Sequence, residues 1–175
     1  MLTAAPSQHF SGRGLKDRNA TLWSSFAIRS PKHSVFFSGD TGLTTEYRSI
    51  REPLGAFDVV MLEIGAFYPA WGDIHLGPDN ALKAHAMRGG VFMPVHWGTF
   101  SLAMHAWDQS ADRLLELAPH TDAQLLMPIL GQPVEPAPAG VVNPWWREVE
   151  NSTIAAASDS VGKVDLPTSV PWPLD

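Results

Sequence analysis

Three side chains that could bind a metal ion each follow a short apolar run of the sequence. They are His9 after Leu2–Ser7, Asp40 after Ser34–Ser38 and His96 after Gly90–Val95. Such runs are typical of buried strands, and a side chain just past a strand can face a cleft. Imidazole and carboxylate donors together suit Zn²⁺ or a similar transition ion, and a carboxylate can bridge two ions. Taken singly, each residue is more often an ordinary polar side chain, and the spacing alone does not decide.

The composition limits the classes of protein to consider. A chain of 175 residues with 45% hydrophobic and 17% charged residues is expected to form one globular domain. The formal net charge of −6, with Lys and Arg scattered singly, argues against binding to nucleic acid or to an anionic membrane surface. Seven His and no Cys mean that any metal is held by His and carboxylates. No apolar stretch approaches the ~18 residues of a membrane-spanning helix, so we expect a cytoplasmic protein.

Strands and helices alternate along the chain, which predicts an α/β fold. Two further strands are expected at Thr21–Arg29 and Asp58–Ile64. One helix is predicted from Pro78 to about Arg88, where Gly89 stops it, and another begins with Ser110 as its cap and ends before Pro119.

The sequence segments around these residues resemble those of a known family. The segments SQHFSGRGLKDRNATLW, FFSGDTG, DVVMLEIGAF, IHLGP and PVHWGTF occur in this order. Together they resemble the branch of the metallo-β-lactamase superfamily that contains N-acylphosphatidylethanolamine phospholipase D and ascorbate-phosphate lactonase. The resemblance extends over residues 2–147, most of the chain.

The resemblance implies a fold, a metal site and a reaction. The family fold is a four-layer αββα sandwich of two similar halves, and residues 1–150 correspond to the C-terminal half, followed by a flexible tail at 151–175. By resemblance His9 binds one metal ion, Asp40 bridges two and also serves catalysis, and His96 binds the second. His75 lies near the reacting group, where it binds the substrate or transfers a proton. One or two Zn²⁺ are expected, with Mn²⁺ or Fe²⁺ as alternatives, and the implied reaction is metal-assisted hydrolysis.

One part of the family pattern is absent from these 175 residues. No His-x-His-x-Asp-His motif occurs, although the family takes its other ligands from one. We therefore expect either a piece of a longer gene product or a truncated protein with an incomplete site. The apolar face of the sheet would then lack its cover, which favours homo-oligomers.

Several residues and three functions stay open at this stage. Arg13 could hold a substrate phosphate or form a surface ion pair, and Trp71 could line the substrate cleft. Glu63 could hold an imidazole by its second nitrogen, and His105 could support the site. The first function is hydrolysis of a phosphodiester such as N-acylphosphatidylethanolamine. The alternatives are a lactonase acting on a sugar-derived ring, and an inactive module that self-associates or binds a partner.

Overall fold

Six strands form a single sheet whose order in space is their order in the sequence. The computed structural model describes residues 1–71, 73–135 and 140–149. The strands are β1 (Leu2–Pro6), β2 (Ser24–Arg29), β3 (Ser34–Phe37), β4 (Val59–Glu63), β5 (Val91–Val95) and β6 (Gln124–Leu125). The pairs β1–β2 and β2–β3 are antiparallel, and β3 to β6 pair in parallel. The strands β1, β3, β4 and β5 therefore all end at the same edge of the sheet, where α/β proteins place their ligands.

Three α-helices accompany the sheet in the described residues up to 143. They are α1 (Glu46–Leu54), α2 (Gly77–Arg88) and α3 (Gln109–Leu117). The predicted limits of α2 are confirmed, with Pro78 in its first turn and Gly89, at φ 71°, after its end. The prediction that Ser110 caps α3 is wrong. Asp108 holds the cap position, and Ser110 lies in the first turn with its side chain buried.

The two faces of the sheet differ in their surroundings. Phe36, Val60 and Phe92 are aligned across β3, β4 and β5 and are fully buried. Tyr47 of α1 and Arg88 of α2 both contact the Phe36 ring, so these helices cover that face. The opposite face exposes apolar side chains, among them Leu2, Phe26, Ile28 and Phe37. A mixed α/β half-sandwich, as predicted from the sequence, is confirmed.

The chain divides into two compact units, Met1–Asn143 and the segment that begins at Pro144. Of the second unit the structure describes residues 144–149, in which the rings of Trp145 and Trp146 meet edge to face. The expected flexible tail at 151–175 lies outside the described residues, and the boundary at 150 stays a prediction. No helix in the described ranges is long and apolar enough to cross a membrane.

Candidate metal centre

The loops after β1 and β3 are tied together, and this positions the side chains of both. Thr41 is buried, and its hydroxyl accepts a hydrogen bond from the backbone N–H of Gln8 at 2.9 Å. The N–H of Gly42 donates to the Gln8 carbonyl at 2.7 Å. The Gln8 side chain donates in turn to the carbonyl of Asp73, in the loop before α2, at 3.0 Å. Three loops that are distant in the sequence therefore meet beside Asp40.

His96 and Asp40 lie next to each other at the ends of β5 and β3. His96 Nε2 is 3.5 Å from Asp40 Oδ1, and both side chains are about half exposed. The His96 Nδ1–H donates to the carbonyl of Gly65, which leaves the Nε2 lone pair free to act as a metal ligand. The backbone of His96 is left-handed, with φ 62°, a conformation that few residues other than glycine adopt.

His9 is also held through one nitrogen only. Its Nδ1–H donates to the carbonyl of Phe10 at 3.0 Å, while its buried Nε2 has no hydrogen-bond partner among the described residues. A buried imidazole nitrogen without a partner needs an explanation, and a metal ion is one. The His9 ring lies edge-on to the His75 ring, with 5.2 Å between ring centroids.

His75 is paired with a fully buried carboxylate at the end of β4. Its Nδ1 lies 3.2 Å from Oε1 of Glu63, which also accepts the N–H of Leu76 at 2.5 Å. Burial raises the pKa of Glu63. The hydrogen bond that His75 donates to this carboxylate in turn raises the pKa of His75. The His75 ring also stacks on that of His96, with 5.5 Å between centroids.

The structure thus groups the candidate residues around His75 and His96. Donor atoms of Glu63, His75 and His96 lie within 4.8 Å of one another, the spacing that a shared metal ion needs. Asp40 contacts this group through His96, and His9 contacts it through His75. Two imidazoles and carboxylate oxygens are donors that suit Zn²⁺ and related ions, so the residues present fit such a metal. The ligand roles predicted for His9, Asp40 and His96 stay predictions.

The predicted substrate residues lie in different places. Trp71 is partly exposed, 5.9 Å from His75 between ring centroids, and both line a hollow of about 280 Å³. Arg13 lies in an exposed turn that the Asp17 carboxylate closes by accepting the N–H groups of Arg13 and Gly14. Arg13 is not part of the lining of this hollow. The role of each in binding substrate stays a prediction.

His105 and Glu63, whose supporting roles the sequence left undecided, both hold parts of the chain around the candidate metal centre. His105 Nε2 accepts the N–H of Phe67 at 3.1 Å, and the two rings stack. His105 thereby holds the segment that presents the Gly65 carbonyl to His96. Glu63 holds an imidazole, as one interpretation of the sequence has it, but that imidazole belongs to His75 and not to a predicted ligand. The sequence feature that pointed to Glu63 is a Glu between apolar residues at the end of a strand.

Comparisons with known proteins show the family of this chain. Residues 1–97 match the family model described as a beta-lactamase superfamily domain, and the chain belongs to that family. It is 43% identical over 150 residues to an uncharacterized protein of Mycobacterium tuberculosis, an alignment that covers 83% of this chain and 40% of the relative. It is 37% identical over 117 residues to N-acyl-phosphatidylethanolamine-hydrolyzing phospholipase D 1 of Caenorhabditis elegans, covering 64% of this chain and 33% of the relative.

Solved structures show the same fold. The isothiocyanate hydrolase from Delia radicum gut bacteria superposes with a TM-score of 0.56 at 17% identity, covering 75% of this chain and 52% of that one. The metallo-beta-lactamase fold protein YhfI of Bacillus subtilis gives a TM-score of 0.51. The chain spans about 40% of the length of its mycobacterial relatives. The chain thus belongs to the beta-lactamase superfamily, and within it the chain is similar in sequence to the phospholipase D relatives.

Proposed function

We propose that this chain carries part of the zinc-type metal centre of a hydrolase that acts on a phosphodiester such as N-acylphosphatidylethanolamine. One observation carries the proposal. Three imidazoles at one edge of the sheet, those of His9, His75 and His96, are each held at Nδ1 by an acceptor of the chain itself. Each therefore keeps Nε2 for another partner, which is how proteins prepare histidines for metal binding or proton transfer.

In this proposal His9 binds one metal ion, His96 binds the second and Asp40 bridges the two. Catalytic zinc sites have three protein ligands for each ion, so these residues supply only part of the centre. The Asp40 carboxylate, half exposed beside His96, is free to bridge a second ion. A bound ion would polarise the scissile group and make a water molecule a stronger nucleophile. Zn²⁺ is our choice of metal, with Mn²⁺ and Fe²⁺ as alternatives.

His75 moves the proton in this proposal. Glu63 fixes the ring through Nδ1, so Nε2 is the atom that gives or takes a proton. The carboxylate favours the protonated imidazole, which suits a group that must donate a proton to a leaving alkoxide. The Glu63 carboxylate itself is buried and held by the N–H of Leu76, so it orients His75 without reaching the substrate.

The proposed substrate class is taken from the relatives. The phospholipase D relatives of Caenorhabditis elegans and Saccharomyces cerevisiae are named for N-acyl-phosphatidylethanolamine. Hydrolysis of a sugar-derived lactone is the alternative within the same fold.

A second candidate function is that of an inactive module which binds a partner or a second copy of itself. The observation that favours it is the exposed apolar face of the sheet, which includes Phe26, Ile28 and Phe37.

The test is the metal content of the purified chain after incubation with zinc and removal of the excess. We expect one or two equivalents of zinc in the parent chain and a loss of at least one in the Asp40→Ala variant. Asp122→Ala removes an exposed carboxylate outside the site and should bind as much zinc as the parent chain. No zinc in the parent chain, or equal zinc in both variants, would contradict the proposal and favour the inactive module.

A further inference from the structure

A hollow between α1 and α2 lies apart from the candidate metal centre. It has a volume of about 790 Å³, which lies within the ~300–1,000 Å³ usual for small-molecule sites. Both helices connect parallel strands, so each begins near the sheet edge that carries the metal centre and returns toward the opposite edge. One wall is formed by Lys83, Ala86 and Met87, in the second half of α2. The hollow therefore extends away from the metal centre, and no candidate site residue is among its described lining residues.

We call this space the basic hollow, because Arg48 and Arg51 of α1 and Lys83 of α2 line it. Arg48 and Arg51 are three residues apart, so they lie on the same face of their helix. Glu52 is the one acid among the described lining residues. The whole chain has 18 acidic and 12 basic residues, yet folding groups three of the scattered cations here. A local excess of positive charge on an acidic protein attracts anions.

The charges of the basic hollow are not neutralised by the chain itself. Arg48, Arg51 and Lys83 are exposed, and none of them takes part in an ion pair between described residues. Lys83 donates to the side-chain oxygen of Asn80 at 3.0 Å, and Arg51 donates to the carbonyl of Met87 at 3.5 Å. Both acceptors are uncharged, so the three positive charges stay available to an anion.

A fourth cation lies beneath the basic hollow. Arg88 follows Met87 in α2 and is fully buried, with its guanidinium group 3.9 Å above the centroid of the Phe36 ring. All three of its guanidinium nitrogens lack a hydrogen-bond partner among the described residues. Burial, with a further contribution from the charge of Arg51, lowers the pKa of Arg88 to about 10, so the group is still protonated at neutral pH. An anion beside Arg51 would offset this unneutralised charge.

We infer that the basic hollow binds a small phosphate-bearing molecule of two or more negative charges, such as a diphosphate. Guanidinium groups such as those of Arg48 and Arg51 can contact phosphate oxygens in pairs, and Lys83 adds a point charge from the opposite wall. Glu52 within the lining would repel a continuous anionic surface such as a membrane, which favours a small ligand. This site goes beyond the proposed function, because it shares no residue with the metal centre.

The test measures the binding of inorganic pyrophosphate to the full chain by calorimetry. The chain is first freed of metal ions and dialysed into metal-free buffer, so that the metal centre cannot hold the probe. We expect about one site per chain, tighter binding of pyrophosphate than of inorganic phosphate, and an affinity that falls as salt is added.

Single substitutions then locate the site. Arg48→Gln and Lys83→Gln should each bind pyrophosphate about tenfold more weakly, because each removes a charged donor. Glu52→Gln should bind it more tightly, since it removes the acid of the lining. Lys32→Gln is the matched control, because Lys32 is an exposed cation outside the basic hollow and its loss changes the net charge equally. Thermal unfolding of each variant shows that the fold is kept.

Three results would overturn the inference. They are the absence of pyrophosphate binding, a loss in Lys32→Gln as large as in Lys83→Gln, and a Glu52→Gln variant that binds no more tightly than the parent chain. Phosphatidylcholine vesicles with added phosphatidic acid test the membrane as a partner. Binding to these vesicles without binding of pyrophosphate would replace the small ligand by a lipid surface. The Asp40→Ala variant should bind pyrophosphate like the parent chain even if it holds no zinc, which separates this site from the proposed function.

Discussion

At the scale of single residues, the structure places a candidate site residue in a backbone conformation that is rare outside glycine. The clearest case is His96, whose backbone has φ 62° although it is not glycine. A left-handed conformation costs a residue with a Cβ roughly 1–2 kcal/mol. The imidazole gains a fixed orientation in return, because its Nδ1–H reaches the Gly65 carbonyl and its Nε2 faces Asp40.

We predict that the free energy of unfolding is larger for His96→Gly than for His96→Ala, by about 1 kcal/mol. Both variants lose the imidazole and its hydrogen bond, and they differ in whether a Cβ must adopt φ 62°. Urea denaturation of the two variants, followed by circular dichroism, measures the difference. If His96→Ala were as stable as His96→Gly, the backbone at this position would carry no strain.

The sequence predicted the positions of the candidate site residues better than it predicted their contacts. The strand ends predicted that the side chains of His9, Asp40 and His96 can face a cleft. The pairing of Glu63 with His75 could not be predicted, because it depends on how residues 64–76 return to the end of β4. No periodicity of the sequence encodes such a contact between a strand end and a loop.

At the scale of elements, helix prediction succeeded where local signals are strong. Pro78 and Gly89 mark the limits of α2 in the sequence itself. By contrast, α1 was not predicted, since Pro53 lies inside it and only Tyr47 and Ile50 are buried. Its stability comes from packing against the sheet, where Tyr47 meets Phe36, and this is a tertiary contact.

The junction of the loops after β1 and β3 with the loop before α2 gives a sharp prediction. A Cβ added to Gly42 would lie 1.7 Å from the carbonyl oxygen of Asp73, a backbone atom that cannot rotate away. We expect Gly42→Ala to lose about 1–3 kcal/mol or more of unfolding free energy, because overpacking forces the loops apart. Thermal unfolding, followed by circular dichroism, measures the loss.

The control for this change is Gly140→Ala, because a Cβ at Gly140 meets no atom within 4 Å. That variant should melt at the temperature of the parent chain. Gly42→Ala should also bind zinc more weakly, since Asp40 lies in the displaced loop. A Gly42→Ala variant that kept its melting temperature would mean that the three loops do not meet as closely as the structure has them.

At the scale of the whole molecule, the two faces of the sheet are unequally covered. Residues of the face that carries Phe36 and Phe92 are buried under helices, while their sequence neighbours Val35 and Phe37 point to the other side. Along that side, pairing aligns Ala4 with Phe26, Phe26 with Phe37, and Phe37 with Met61. An apolar surface of this kind marks an interface, since few soluble chains leave one open to water.

We predict that the chain associates with itself through this face, and that charges placed on the face prevent it. In the Ile28→Lys, Phe37→Lys double variant, two side chains that are 47% and 37% exposed are replaced at positions that are not direct partners across the strands. Each apolar side chain covered by a second copy contributes up to ~1.5–3 kcal/mol, and a lysine there reverses that gain. Sedimentation velocity should therefore show a mass that rises with concentration for the parent chain and stays monomeric for the double variant.

Leu22→Lys, at a 92% exposed residue outside the strands, should behave like the parent chain. A parent chain that is monomeric at every concentration would mean that this face does not bind a second copy, which removes the self-associating form of the second candidate function but leaves the metal centre untouched.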